Sequence, residues 1–199
     1  MQDNVIPAAN RAQQWRSATT NTFGKAVASA APVVLGLGLA AVPAHADVAP
    51  VDVDEVLAVA NVSRAQYGAA PLVWDPNLAS GAQEWAGNCR FVHSGGGSAY
   101  GENLFAYAGR RTASFADAQD RWMAEAADYD YGDPGFATNT GHFTQAVWKS
   151  TTAIAVGVAE CPAGSLFAGY GNPQTLIVVR YSPPGNFAGQ YTANVGRPQ

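Results

Sequence analysis

The chain has 199 residues, of which 48% are hydrophobic, 11% aromatic and only 13% charged. This length allows one domain, or one domain with a tail, and the aromatic content is too high for a disordered chain. The formal net charge of -4 excludes a typical nucleic-acid-binding protein, because such proteins need a basic surface.

The first segment, residues 1–46, predicts a secretory signal. Three basic residues precede an apolar run over 26–42, and the sequence Ala-His-Ala at 44–46 has the small-residue pattern of a cleavage site. The most apolar stretch, 33–42, is too short for a stable membrane span, although a retained anchor is the alternative. We therefore expect a secreted, extracellular protein with a single domain over 47–199.

Three helices are predicted in the first part of this domain, over about 54–67, 77–88 and 112–129. Apolar residues recur at spacings of three and four along each segment. The Gly-rich segment 91–107 is predicted to be a long ordered loop, and 130–141 is a second loop.

The last third of the chain predicts strands instead. Ile154, Val156 and Val158 alternate with small residues, which is the period of a strand. Two more short strands are predicted over 165–170 and 175–181. Helices followed by antiparallel strands indicate an α+β domain in which helices pack on a sheet.

Cys89 and Cys161 are the only cysteines in the chain. Export to an oxidising compartment permits a disulfide between them. The alternative is a pair of buried free thiols.

The residues that could carry chemistry are two histidines and two glutamates. Glu125 lies on the apolar stripe of the third helix, so it is either buried with hydrogen-bond partners or turned to solvent at the helix end. His93, Glu102 and His142 lie in turn-rich segments. Such a set can bind zinc or can form a hydrogen-bond network. The zinc-enzyme spacings and the Gly-x-Ser-x-Gly nucleophile motif are absent from the sequence, so spacing leaves both alternatives open.

Several motifs resemble the CAP superfamily, which includes cysteine-rich secretory proteins, venom antigen five proteins and plant pathogenesis-related proteins of class 1. The resemblance spans about residues 53–195 and is closest to fungal secreted members. The most specific motifs are Tyr100-Gly-Glu-Asn-Leu104, Gly141-His-Phe-Thr-Gln-Ala-Val-Trp148 and Arg180-Tyr-Ser-Pro-Pro-Gly-Asn186.

The resemblance implies a three-layer α-β-α sandwich with a central, mainly antiparallel sheet. It also implies a cleft that holds His93, Glu102, Glu125 and His142, which favours burial of Glu125. In some relatives the two histidines bind a divalent metal, so His93 and His142 are candidate zinc ligands, although no cofactor is required. Catalysis by these residues is not a general property of the family.

The chain departs from the family pattern in its cysteines. The resemblance implies that Cys89 and Cys161 keep one of the family's bridges. A second bridge between neighbouring strands is replaced by Val156 and Val179, which are both apolar and β-branched.

The resemblance implies a secreted binding protein without enzymatic activity, whose ligand is a sterol, a fatty acid or another small apolar molecule. Tyr100, Phe105 and Tyr107 form an aromatic, Gly-flanked loop that suits such a ligand, unless these rings close over the core. One alternative is a defence or effector protein that recognises a protein partner. Another is a metal-dependent hydrolase in which the histidines hold zinc and a glutamate acts as the base.

Overall fold

The computed structural model describes residues 50–199, so the predicted signal segment 1–46 lies outside the described residues. In chain order the helices and strands are α1 Val53–Ala65, β1 Val73–Trp74, α2 Pro76–Gly87, β2 Gly101–Ala108, α3 Phe115–Met123, α4 Gly141–Ala146, β3 Ala153–Cys161, β4 Gln174–Ser182 and α5 Tyr191–Asn194. A 3-10 helix, Ala124–Asp128, follows α3 directly. Within residues 50–199, no helix is long and apolar enough to cross a membrane.

The four described strands form one sheet in the order β1-β3-β4-β2. β3 pairs antiparallel with β4 from Ala153 opposite Ser182 to Cys161 opposite Gln174. β2 pairs antiparallel with the other side of β4, whereas β1 is parallel to β3. The sheet is therefore mainly antiparallel, as predicted.

Helices cover both faces of this sheet, which confirms the three-layer arrangement. On one face, α1 and α3 pack against the strands through a core that includes Val56, Ala60, Phe115, Trp122, Ile154, Ile177 and Tyr181. On the other face, α2 packs through Ala82, Ala86, Leu104, Leu176 and Val178. A third cluster joins α4 to the C-terminal segment through Phe143, Trp148, Tyr191 and Val195.

Polar caps decide where α3 begins. The Ser114 hydroxyl accepts a hydrogen bond from the backbone N–H of Asp117, and the Asp117 carboxylate accepts one from the backbone N–H of Ser114. This capping box satisfies N–H groups that a helix end leaves unpaired. The helix therefore starts at Phe115 rather than at the predicted Thr112, and the predicted helix over 112–129 divides into α3 and the 3-10 helix.

Two predictions in the sheet region are wrong. Residues Gly101–Ala108 form β2 and not a loop, because all eight pair with β4, a partner distant in sequence. The predicted strand over 165–170 is a series of turns. There the backbone N–H groups of Leu166 and Phe167 donate to the side-chain oxygen of Gln174, which replaces the pairing a strand would need.

A buried arginine joins α1 to the segment after α4. The Arg64 guanidinium donates to the carbonyls of Ala70, Ala146, Trp148 and Thr151 at 2.8–3.0 Å. Burial lowers the pKa of Arg64 to about 10, with the Tyr181 hydroxyl acting in the opposite direction. Four carbonyl acceptors compensate for the loss of water around the charge.

The Cys89–Cys161 disulfide is present and ties the residue after α2 to the end of β3. It closes a loop of 72 residues. Because the bridge lowers the chain entropy of the unfolded state, it stabilises the fold by about 4 kcal/mol. Val156 and Val179 lie directly opposite each other on β3 and β4. Both valines are buried in the core between the sheet, α1 and α3.

Candidate functional site

The first His–Glu pair is formed by His93 in the loop after α2 and Glu102 in β2. The Nδ1 atom of His93 lies 3.1 Å from one carboxylate oxygen of Glu102. The backbone N–H of Ser94 donates to the same oxygen at 2.8 Å, and the Ser94 hydroxyl donates to the other oxygen at 2.5 Å. Glu102 therefore holds the His93–Ser94 loop against the start of β2.

Two further side chains extend this pair. Arg180 lies opposite Glu102 across the β2–β4 ladder, and its Nε donates to Glu102 at 3.4 Å. The Arg180 guanidinium stacks over the Tyr100 ring at 4.1 Å. Because the Ser94 hydroxyl hydrogen is used by Glu102, the Tyr100 hydroxyl is the donor in its 2.9 Å hydrogen bond to Ser94.

The donors around Glu102 favour its charged form. Burial by itself raises the pKa of this carboxyl, but the hydrogen bonds from His93 and Ser94 outweigh burial. The net effect is a pKa below the usual value, so Glu102 is ionised at neutral pH.

The second His–Glu pair is formed by Glu125 in the 3-10 helix and His142 in the first turn of α4. The Nδ1 atom of His142 lies 2.8 Å from one oxygen of Glu125. The other oxygen accepts from the backbone N–H groups of His142 and Phe143 at 3.1 and 3.2 Å. Glu125 is 9% exposed, so the structure places it in the buried position that the family resemblance favours.

Glu125 acts as a helix cap supplied from outside the helix. Thr140, the N-cap residue of α4, makes no side-chain capping hydrogen bond. The Glu125 carboxylate satisfies two of the backbone N–H groups at this helix end instead. The His142 ring also stacks on Trp122 of α3, with centroids 5.8 Å apart and an interplanar angle of 16°.

Both pairs are linked to the start of β2, through the neighbouring residues Glu102 and Asn103. Glu102 shares the α2 face with Leu104, since alternate strand residues point the same way. Its neighbour Asn103 points to the α3 face and donates to the His142 carbonyl at 3.0 Å. The structure thus brings each histidine to its glutamate, whereas a single cleft that holds all four side chains stays a prediction.

The predicted zinc ligands provide an incomplete donor set. Each histidine turns Nδ1 toward a carboxylate, which is how proteins orient a metal-binding imidazole. However, protein zinc sites use three or four side-chain ligands. In the part of the chain that the structure describes, no three His, Cys, Asp or Glu side chains group closely enough to hold an ion. The described residues therefore offer two histidine ligands and no third side chain beside them, and zinc binding stays a prediction.

The predicted aromatic loop divides into two parts. Phe105 and Tyr107 belong to β2 and pack against the core between the sheet, α1 and α3, where Tyr107 is 8% exposed. Tyr100 precedes the strand and is held by Arg180 and Ser94. The prediction of a loop across Phe105 and Tyr107 is wrong, because the β2–β4 pairing continues to Ala108. Ligand binding by these rings stays a prediction.

Sequence reasoning missed the roles of Ser94, Asn103 and Arg180. Ser94 and Asn103 adjoin predicted site residues, so the motifs His93-Ser94 and Glu102-Asn103 could have indicated that they belong to the site. Arg180 begins one of the family motifs, but its contact with Glu102 could not be predicted from the motif, because it depends on the register between β2 and β4.

The chain belongs to the CAP family, described as the cysteine-rich secretory protein family, which it matches over residues 57–181. It is 37% identical to pathogenesis-related leaf protein 4 of Solanum lycopersicum over 147 residues, or 68% of this chain and 80% of the relative. It is also 33% identical to fruiting body protein SC7 of Schizophyllum commune, over 68% of this chain and 66% of the relative.

Solved structures show the same fold. The chain matches the structure of Na-ASP-1 with a TM-score of 0.57 and 20% identity, over 72% of this chain and 41% of that chain. It matches the structure of MpPR-1i with a TM-score of 0.53 and 23% identity, over 72% of this chain and 93% of that chain. Both structures support the CAP fold that the motifs predict.

Proposed function

We propose that this protein is a secreted, non-catalytic binding protein whose ligand is a sterol, a fatty acid or another small apolar molecule. The observation that carries the proposal is a pair of exposed aromatic side chains beside the His142–Glu125 pair. Phe136 is 59% exposed and Phe187 is 42% exposed. Large apolar side chains that stay in water beside a polar site are typical of a binding surface.

Contacts to Gly141, the first residue of α4, bring the Phe136 ring and the residue before Phe187 to the same helix end. The Phe136 ring lies 2.9 Å from the position that a Cβ atom of residue 141 would occupy. Asn186, the residue before Phe187, donates to the Gly141 carbonyl at 2.9 Å. The Asn186 side chain also accepts from the Thr144 hydroxyl at 2.6 Å, so two bonds hold the Phe187 segment against α4.

The hydrogen bonds of the two glutamates support a binding role over a hydrolytic one. A general base needs a carboxylate that can reach a water molecule or a substrate proton. Glu102 accepts four hydrogen bonds from its own protein, and Glu125 accepts three. Both carboxylates serve to hold a loop or a helix end.

The test is direct binding of labelled cholesterol and labelled palmitate to the purified protein. We expect saturable binding of at least one lipid, and about tenfold weaker binding when Phe136 and Phe187 are both changed to Ser, because each ring buries apolar surface. Val62→Ser in α1 is the matched control, since Val62 is equally exposed at 64%. Absence of micromolar binding for both lipids, or equal binding by the double variant, would overturn the proposal.

Secretion is tested separately. We expect cells that express the full chain to release a product whose amino terminus is Asp47, as the predicted cleavage site requires. Retention of the chain in a membrane fraction would contradict this part of the proposal.

A second candidate function is recognition of a protein partner in defence, which the pathogenesis-related relatives favour. Immobilised protein would then retain a defined partner from extracellular extracts, and the Phe136/Phe187 double variant would still retain it if lipid binding and recognition use different surfaces. A metal-dependent hydrolase predicts the opposite pattern: zinc in elemental analysis and a hydrolytic activity that His142→Ala abolishes.

A further inference from the structure

Arg180 is a buried arginine with unused hydrogen-bonding capacity. The residue is 9% exposed, and its guanidinium lies between the Tyr100 ring and the backbone of Gly81 in α2. Its Nε donates to Glu102. Within residues 50–199, its two terminal nitrogens, Nη1 and Nη2, have no hydrogen-bond acceptor.

A comparison with Arg64 shows that this is unusual in the same domain. Arg64 is fully buried, and all three of its nitrogens donate to backbone carbonyls. Arg180 has comparable burial and uses one nitrogen only. Neither Nη atom of Arg180 is among the fully buried atoms without a partner, and 10% of its side chain stays exposed, so part of the guanidinium contacts solvent.

The glycine at position 81 makes room for this guanidinium. A Cβ atom on residue 81 would collide with Nη1 of Arg180. Glycine inside a helix is less favourable than alanine. Gly81 therefore makes α2 less stable than alanine would, but it leaves room for the Arg180 guanidinium.

The neighbouring groups hold the guanidinium in one orientation. Tyr100 packs on its face, and Tyr100 is itself held by its hydrogen bond to Ser94. Glu102 occupies the Nε side, with a long contact of 3.4 Å. Nη1 lies beside Gly81 of α2, and within residues 50–199 neither Nη1 nor Nη2 donates to a protein acceptor. These two nitrogens are the ones that form paired hydrogen bonds with a carboxylate.

We propose that Arg180 forms a binding site for the carboxylate group of an organic acid. Nη1 and Nη2 donate to the two carboxylate oxygens, while Glu102 and Tyr100 hold the guanidinium in place. The positive charge of Arg180 beside Glu102 also opposes binding of a divalent cation at this carboxylate. The site stands on the α2 face and does not depend on the proposed lipid site at Phe136 and Phe187.

The test is titration of the ¹⁵N-arginine-labelled protein with sodium acetate and with sodium decanoate, followed by NMR of the arginine side chains. We expect one arginine resonance to shift with saturation. Arg180→Lys, which keeps the charge and loses the paired donors, is expected to remove that resonance and to weaken binding by about tenfold. Arg121→Gln, which removes an exposed arginine on α3, is the matched control and is expected to bind like the unaltered protein.

Tighter binding of decanoate than acetate identifies a fatty acid as the ligand, whereas equal binding identifies a small free acid. The titration of the unaltered protein does not depend on the folding of any variant. Absence of a saturable shift with either acid, or identical binding by Arg180→Lys, would overturn the proposal. Failure of the Phe136/Phe187 variant test leaves these outcomes unchanged, so the two proposals fail separately.

Discussion

The two His–Glu pairs share their residue types and their Nδ1-to-carboxylate contact, but they differ in what surrounds them. In the first pair, the His93 side chain is 42% exposed, and its glutamate contacts a loop and a guanidinium. In the second pair, the His142 side chain is 23% exposed, and its glutamate caps a helix. The comparison shows that one residue pattern can serve two purposes, depending on which backbone N–H groups the carboxylate meets.

This difference has a consequence for stability and binding. Removal of Glu125 leaves unpaired donors in a buried helix end, where water cannot readily replace the carboxylate. Removal of Glu102 frees a loop that lies closer to solvent. The second pair should therefore matter more for folding, and the first pair should matter more for ligand recognition through Arg180.

The largest effect is expected for Glu125→Ala. Because two backbone N–H groups of α4 and the Nδ1 atom of His142 lose their acceptor, the free energy of unfolding should fall by about 3 kcal/mol. For a domain of this size, such a loss lowers Tm by about 6–12 °C. Thermal unfolding measured by circular dichroism checks the prediction.

Glu84→Ala on the exposed side of α2 is the control for Glu125→Ala. Its Tm should stay close to that of the unaltered protein, because Glu84 is exposed. Equal Tm values for the two variants would show that Glu125 is not the cap that the hydrogen bonds indicate.

A smaller loss is expected for Glu102→Gln, of about 1–2 kcal/mol in urea unfolding. The amide keeps the shape of the side chain but removes the charge that pairs with Arg180 and attracts the Ser94 donors. A loss as large as that of Glu125→Ala would contradict the distinction between the two pairs.

The smallest effect is expected for Asp117→Asn, at about 0.5–1 kcal/mol near neutral pH, because Asp117 is partly exposed. Asp117 caps α3, and α3 leads directly into the 3-10 helix that carries Glu125. The Arg111 guanidinium, together with hydrogen bonds from Ser114, outweighs burial and holds the pKa of Asp117 well below its usual 3.8.

The sign of the pH dependence follows from that lowered pKa. The stability that Asp117 contributes is present above the unfolded-state pKa, near 3.8, and is lost as the pH falls through the lower folded-state value. When the pH falls from about 5 to about 2, the range in which carboxyl groups titrate, the free energy of unfolding should thus fall more for the unaltered protein than for Asp117→Asn. Urea unfolding at each pH measures this difference. Parallel pH profiles would contradict the assignment.

Local signals in the sequence predicted much of this molecule. The periodic apolar residues of α1 and α2 placed both helices within one or two residues, and the alternation around Val156 placed β3. The motifs around Glu102 and His142 identified the family, which the match over residues 57–181 confirms. These signals succeed because helix stripes, strand alternation and short motifs are properties of neighbouring residues.

The predictions that failed concern contacts between distant residues. β2 was expected to be a loop because its Gly-rich beginning contains no strand signal, and only pairing with β4 makes it a strand. The segment 165–170 was expected to be a strand, but the Gln174 side chain satisfies its backbone instead. In each case the hydrogen-bond partner of the backbone N–H groups lies outside the short segment from which the secondary structure was predicted.

The amino-acid sequence was enough to predict the family and, through the family resemblance, the three-layer architecture, the Cys89–Cys161 bridge and the four candidate site residues. Helix packing and strand register were needed to show that Glu125 caps α4 and that Glu102 forms an ion pair with Arg180. The physical reason is that a buried carboxylate is defined by the donors around it. Those donors come from elements that only strand register and helix packing bring together.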